Sequence, residues 1–100
     1  MTKEEERKFV NHLIEATRSG KIDWSPTAVK DQFAASVQGK YIITVTKGWE
    51  EDEVYFELKM FDQKKRDMLE TYQGVAELFQ VARERGLRVD EAVTDILENL

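Results

Sequence analysis

The groups in this chain that could do chemistry are a run of acids, a single histidine, a few serines and a short basic run. Four consecutive carboxylates, Glu50-Glu51-Asp52-Glu53, follow Trp49 within KGWEEDEVYF, Lys47 to Phe56. A calcium loop sets its oxygen ligands at alternate positions around a glycine. This run has no such alternation and no neighbouring histidine, so it reads as a hairpin tip, with Gly48 as the reversal residue. His12 could serve as a general base only with a positioned partner and a cleft, and its place off the apolar stripe of a helix marks it as a surface residue. Ser19, Ser25 and Ser36 fall at a helix end, a cap and a strand, and none sits in a nucleophile elbow. The five glycines are scattered singly, which leaves no phosphate-cradling loop. The absence of cysteine excludes disulfides, thiolate metal sites and a cysteine nucleophile. No catalytic, cofactor-binding or metal-ligating set is assigned, no cofactor is expected, and the chain is read as a non-enzyme.

The composition bounds the rest. One hundred residues suit a single domain spanning 1–100, and 41% hydrophobic content with 35% charge is that of a globular chain with a well-solvated surface. The net charge of −5 opposes nonspecific phosphate binding at long range. The N-terminal MTKEEERKF has no apolar signal core, and no later run approaches the ~20 apolar residues of a membrane span. A soluble cytoplasmic protein without membrane contact is expected.

The elements follow from periodicity. Thr2 and Glu5 have capping-box spacing ahead of a helix whose stripe is Phe9, Val10, Leu13, Ile14 and Thr17, ended by Gly20. Ser25-Pro26 is suited either to opening a helical turn or to a turn before an extended arm. Phe33, Ala35 and Val37, then Tyr41, Ile43 and Val45, then Val54, Phe56, Leu58 and Met60 alternate as three strands of an antiparallel meander. Val37 opposite Tyr41 leaves the loop Gln38-Gly39-Lys40. Val45 opposite Val54 aligns Ile43 with Phe56 and Tyr41 with Leu58, and leaves Lys47 opposite Asp52 around a four-residue loop, Gly48 to Glu51. A strand extension is possible around Met68 to Tyr72. Val75, Leu78, Phe79 and Ala82 then have helical spacing up to a stop at Gly86, and Asp90 is placed to cap a last helix carrying Ala92, Val93, Ile96, Leu97 and Leu100. The expected architecture is α+β: an N-terminal helix, a three-stranded antiparallel β-meander and two C-terminal helices, with the helices mainly on one face of the sheet.

With these elements placed, LIEATRSGKIDW (Leu13 to Trp24), YFELKMFD and LFQVARERGLRVDEAVTDILENL (Leu78 to Leu100) resemble a group of small uncharacterised bacterial proteins of the same α-β-β-β-α-α order. The resemblance rests on packing features and implies a bacterial origin and this fold, with no site residues to carry across. The order α-β-β-β-α is also similar to that of double-stranded-RNA-binding domains, which place lysines before the final helix, where Lys64, Lys65 and Arg66 lie. Asp67, Glu70 and Glu77 depart from that pattern, as does a first turn without proline and histidine.

Two surfaces remain after the core is assigned. The sheet face opposite the helices would carry Ile42, Thr44, Tyr55 and Phe61, with Trp49 at the hairpin tip on that end, a composition suited to protein contact because aromatics are enriched in interfaces. The stripe of the last helix is the second. The leading expectation is a small non-enzymatic protein-interaction module that self-associates, most simply as a homodimer, or else binds another protein. The alternative is nucleic-acid binding through Lys59, Lys64, Lys65 and Arg66, which the net charge disfavours. The third is a small ligand binder or enzyme using His12 or the acid run, which requires a pocket holding those groups.

Overall fold

The computed structural model describes residues 1–100, apart from the side chain of Val89. Helix α1, Lys3–Arg18, begins as its sequence dictates: Thr2 Oγ1 accepts the Glu5 backbone N–H at 3.1 Å and Glu5 Oε1 accepts that of Thr2 at 3.3 Å, closing the capping box. It ends in a Schellman motif. Lys21 N–H donates to Ala16 O at 2.9 Å and Gly20 N–H to Thr17 O at 3.1 Å, with Gly20 at φ 75°. The chain then turns Ile22 and Trp24 into the core.

The sheet has five strands in the order β1-β2-β3-β4-β5, every neighbouring pair antiparallel. These are β1 Ser25–Pro26, β2 Gln32–Val37, β3 Tyr41–Glu50, β4 Glu53–Phe61 and β5 Asp67–Thr71. The three expected strands are its centre, and the two additional ones flank them. Ser25-Pro26 opens no helix; it pairs with Ala34 and Phe33 at the sheet's edge, where a residue lacking an N–H is tolerated. The Met68 to Tyr72 segment extends the sheet on the other side as β5.

The first hairpin has the expected register, Val37 opposite Tyr41, with Gln38 and Gly39 at φ 57° and 65°. The second differs. Val45 stands opposite Leu58 rather than Val54, Ile43 opposite Met60 rather than Phe56, and Lys47 opposite Phe56 rather than Asp52. The strands run on to Glu50 opposite Glu53, and the reversal is made by Glu51 and Asp52, at φ 49° and 69°. Both central residues of this two-residue turn are left-handed, the geometry whose twist suits a hairpin and which usually recruits Asn-Gly. Gly48 therefore makes no turn. It lies within β3 beneath the ring of Tyr55, where a Cβ would stand 2.3 Å from the Tyr55 ring. The slip is four residues, an even number, so the alternation of faces survives it. Core membership changes instead: Leu58 is fully buried, while Val54 is 40% exposed.

Helix α2, Val75–Asn99, follows a left-handed Gly74. The two helical stretches expected on either side of Gly86 are both helical and run together without a break. Gly86 is no stop and Asp90 no cap. Gly86 is a close-approach residue: a Cβ there would meet the Phe33 ring at 2.7 Å and stand 3.6 Å from Trp24 O. Helix α2 crosses one face of the sheet, touching β4, β3, β2 and β1, and packs against α1. One hydrophobic core joins Val10, Leu13 and Ile14 of α1, Ile22 and Trp24, the inward row of the sheet, and Val75, Leu78, Phe79 and Ala82 of α2. Phe79 is its aromatic centre, with ring centroids 5.7 Å from Phe33 and 5.4 Å from Phe56.

Candidate protein-contact surfaces

Three surfaces are left open by this packing. The first is the sheet face away from the helices. Ile42 stands opposite Phe61, Thr44 opposite Lys59 and Gly48 opposite Tyr55, all on this face, so Ile42, Thr44, Tyr55 and Phe61 share it as their alternation requires. Trp49 does not. It pairs with Val54 in the same row as Val45 and Lys47, which is the helix-facing row, and it is 64% exposed because the helical layer stops short of the hairpin tip. Lys47 Nζ lies 5.7 Å from the centroid of its ring.

The polar groups of the open face are tied to one another. Tyr72 packs edge-on against Tyr55 at 6.3 Å, and its hydroxyl lies 2.7 Å from Glu70 Oε1 and 3.0 Å from Glu57 Oε2. Lys59 Nζ is 3.8 Å from Glu57. The Tyr72 hydroxyl proton is held first by Glu70 and then by Glu57, and ionisation would place a third negative charge beside two carboxylates, so its pKa is raised above the ordinary 10.0. For a group whose folded pKa is raised, the stabilisation is complete below the unfolded value and is lost as pH rises through the folded one. The face should therefore hold together at neutral pH and loosen only in strong alkali. An absorbance titration of tyrosinate should show one of the three tyrosines ionising after the others, and Tyr72→Phe should remove that late component. A late component that persists in Tyr72→Phe would assign it elsewhere.

The basic run forms the turn between β4 and β5. Asp62 organises it: Oδ1 accepts the backbone N–H of Lys64 and of Arg66, both at 2.9 Å, and Oδ2 accepts Arg66 Nε at 2.7 Å. The Arg66 backbone N–H is the main cause of an Asp62 pKa below the usual 3.8. Arg66 is thus committed to Asp62, and Lys59 to Glu57 on the open face. Lys64 and Lys65 are exposed at the turn. No helix is long and apolar enough to cross a membrane, and no three His, Asp or Glu side chains converge as a metal site would need, among the described residues.

The second surface is a groove of about 450 Å³ between α1 and the sheet. One wall is the α1 row Phe9, Leu13 and Ala16; the other is Val37, Tyr41, Ile43 and Met60, with Met68 at the β-bulge of β5. It lies where α2 covers only part of the inward face, with α1 packed on α2 and tied to β5 by the Thr71 hydroxyl, which donates to Glu6 Oε2 at 3.1 Å. His12, Lys21 and Tyr41 are its titratable lining residues, and no carboxylate lines it. His12 thus stands at a concave site that its position on the helix alone did not reveal, while the acid run at the β3–β4 tip is not part of it.

Comparison with known proteins finds no matching family model, no matching curated protein and no matching solved structure. The surfaces themselves must carry the functional reading.

The third surface is the end of α2. At 3.6 residues per turn, Val75, Leu78, Phe79, Ala82 and Gly86 fall within an arc of about 100°, and Val93, Ile96, Leu97 and Leu100 continue the same arc. The first part of this stripe is core. The second is bare: every residue from Asp90 to Leu100 is exposed, Leu97 at 78%. Geometry explains the difference. A helix of 25 residues is about 37 Å long, whereas five strands at ~4.8 Å spacing span only about 19 Å. By Gly86 the helix has reached the β1–β2 margin, beside Phe33 and Trp24, and the remainder extends beyond the sheet.

Proposed function

We propose that this chain is a small protein-contact module that self-associates, and that the bare end of α2 is its contact element. One observation carries this reading. The apolar stripe of α2 continues for eleven residues past the body of the protein, in phase with the part that forms the core, and every one of those residues is exposed. An isolated helix of that length is marginal in water, and in proteins helical stability comes mainly from packing an apolar face. A long unbroken helix with Val93, Ile96, Leu97 and Leu100 on one side is therefore best supported by a second surface. Closed two-fold assembly is the commonest way for a single chain to supply one.

Light scattering over a wide concentration range tests the reading. The native chain should have the mass of a dimer, and Ile96→Glu/Leu97→Glu should have that of a monomer. Both positions are more than half exposed, so the variant should unfold at a temperature close to that of a monomeric native fold. A native chain that is monomeric throughout, or a double variant that remains dimeric, would overturn it.

A further inference from the structure

We infer that the exposed end of α2 from one copy docks into the groove between α1 and the sheet of a second copy, and that the two copies exchange these helices reciprocally about a two-fold axis. This rests on the self-association reading above and names the surface that receives the helix.

The two parts match in shape. The groove has apolar side chains on both walls, Phe9, Leu13 and Ala16 against Val37, Ile43 and Met60. The helix end presents Val93, Ile96, Leu97 and Leu100 at the i, i+3, i+4, i+7 spacing with which an amphipathic helix anchors in such a groove. About three turns of helix, some 16 Å from Asp90 to Leu100, are offered to it.

They also match in charge. Asp90, Glu91, Asp95 and Glu98 lie in the helix end, which has no base after Arg88. The groove is lined by Lys21 and His12 without a carboxylate. Docking the helix end therefore brings acids toward bases. Pairing two helix ends with each other would instead bring four carboxylates of one copy toward four of the other, a like-charge arrangement that disfavours that partner.

The helix cannot fill the groove of its own chain. Helix α2 is continuous to Asn99 and passes out beyond β1, whereas the groove lies beside α1 over the middle and far strands. A second copy satisfies both surfaces. Because the exchange is mutual, each dimer buries two stripes and two grooves and leaves neither surface free to recruit a third chain.

The deciding measurement is light scattering on three proteins and one mixture: the native chain, Ile96→Glu/Leu97→Glu, Met68→Glu, and an equal mixture of the two variants. Met68 lines the groove and is 51% exposed, so its replacement adds a negative charge where the acidic helix would arrive without removing core volume. Thermal melts of each variant establish that it is folded. The expected result is a native dimer, loss of the dimer in each variant alone, and recovery of dimers in the mixture. Recovery follows because the intact helix end of the Met68→Glu chain can still enter the intact groove of the double variant. A double variant that is monomeric beside a Met68→Glu chain that stays dimeric would overturn the groove and leave the self-association reading standing, with the helix ends pairing on each other. A native chain that is monomeric would overturn both.

Discussion

Trp24→Ala should leave the protein barely folded. Trp24 is completely buried and is among the largest of the fully buried side chains. Its indole N–H donates to Thr17 Oγ1 at 3.0 Å, and Thr17 in turn donates to Leu13 O at 2.7 Å, so the tryptophan is tied to α1 across the Schellman turn. Removing it leaves Thr17 still bonded to Leu13, and the dominant loss is packing. Truncating a large aromatic in a core costs about 3–5 kcal/mol, against a total of about 5–15 kcal/mol for a domain. Trp24→Phe keeps most of the volume and should lose roughly 1 kcal/mol for the missing hydrogen bond, plus a smaller cavity. Urea unfolding followed by far-ultraviolet circular dichroism checks both. A Trp24→Ala midpoint close to the native one would show that the tryptophan anchors nothing. Loss of association in this variant would be secondary to unfolding, which is why the contact surfaces are tested at exposed positions.

Gly86→Ala should destabilise the protein, although in most helices the same change stabilises. Alanine in place of glycine within a helix is favourable by about 1 kcal/mol. Here the new methyl would stand 2.7 and 2.8 Å from two atoms of the Phe33 ring. Phe33 has little room to yield: it is buried and its ring already packs edge-on against Phe79. Overfilling a core costs typically about 1–3 kcal/mol, so the steric cost outweighs the propensity. A fall of several degrees in melting temperature is expected, since about 1 kcal/mol corresponds to 4–8 °C in a domain of this size. A rise would show that α2 can move off Phe33 freely and that Gly86 serves no close approach.

Gly86 and Gly48 show where reading from the chain reached its limit. Local pattern makes both of them breaks, a helix stop and a hairpin reversal, because freedom at positive φ is glycine's commonest use. In the structure both are places where an aromatic ring comes close to the backbone, Phe33 on Gly86 and Tyr55 on Gly48. Which ring approaches which glycine is a long-range fact, and no local pattern contains it. The β3–β4 register failed for a related reason. The reversal is made by Glu51 and Asp52, ordinary acids in left-handed conformations, and a four-residue slip leaves the alternation of faces intact. In the observed register Leu58 stands opposite Val45 and both are fully buried. The same slip lengthened both strands and put Trp49 in the helix-facing row, away from Ile42, Thr44, Tyr55 and Phe61.

By itself the chain determined what depends on nearest neighbours: the capping box at Thr2 and Glu5, the Schellman stop at Gly20, the alternation of three central strands, the first hairpin's register and the α+β class. The apolar stripe of the last helix was equally legible, because period 3.6 is a local property. Only the tertiary structure decided that this stripe is continuous with the core stripe of Val75 to Ala82, that the sheet is too narrow to cover it, and that a groove bearing His12 and Lys21 opens between α1 and the sheet. Those outcomes depend on the length of a helix relative to the width of a sheet and on which element leans on which. They are properties of assembled surfaces, and a pattern of residues acquires them only when the elements that carry it are packed.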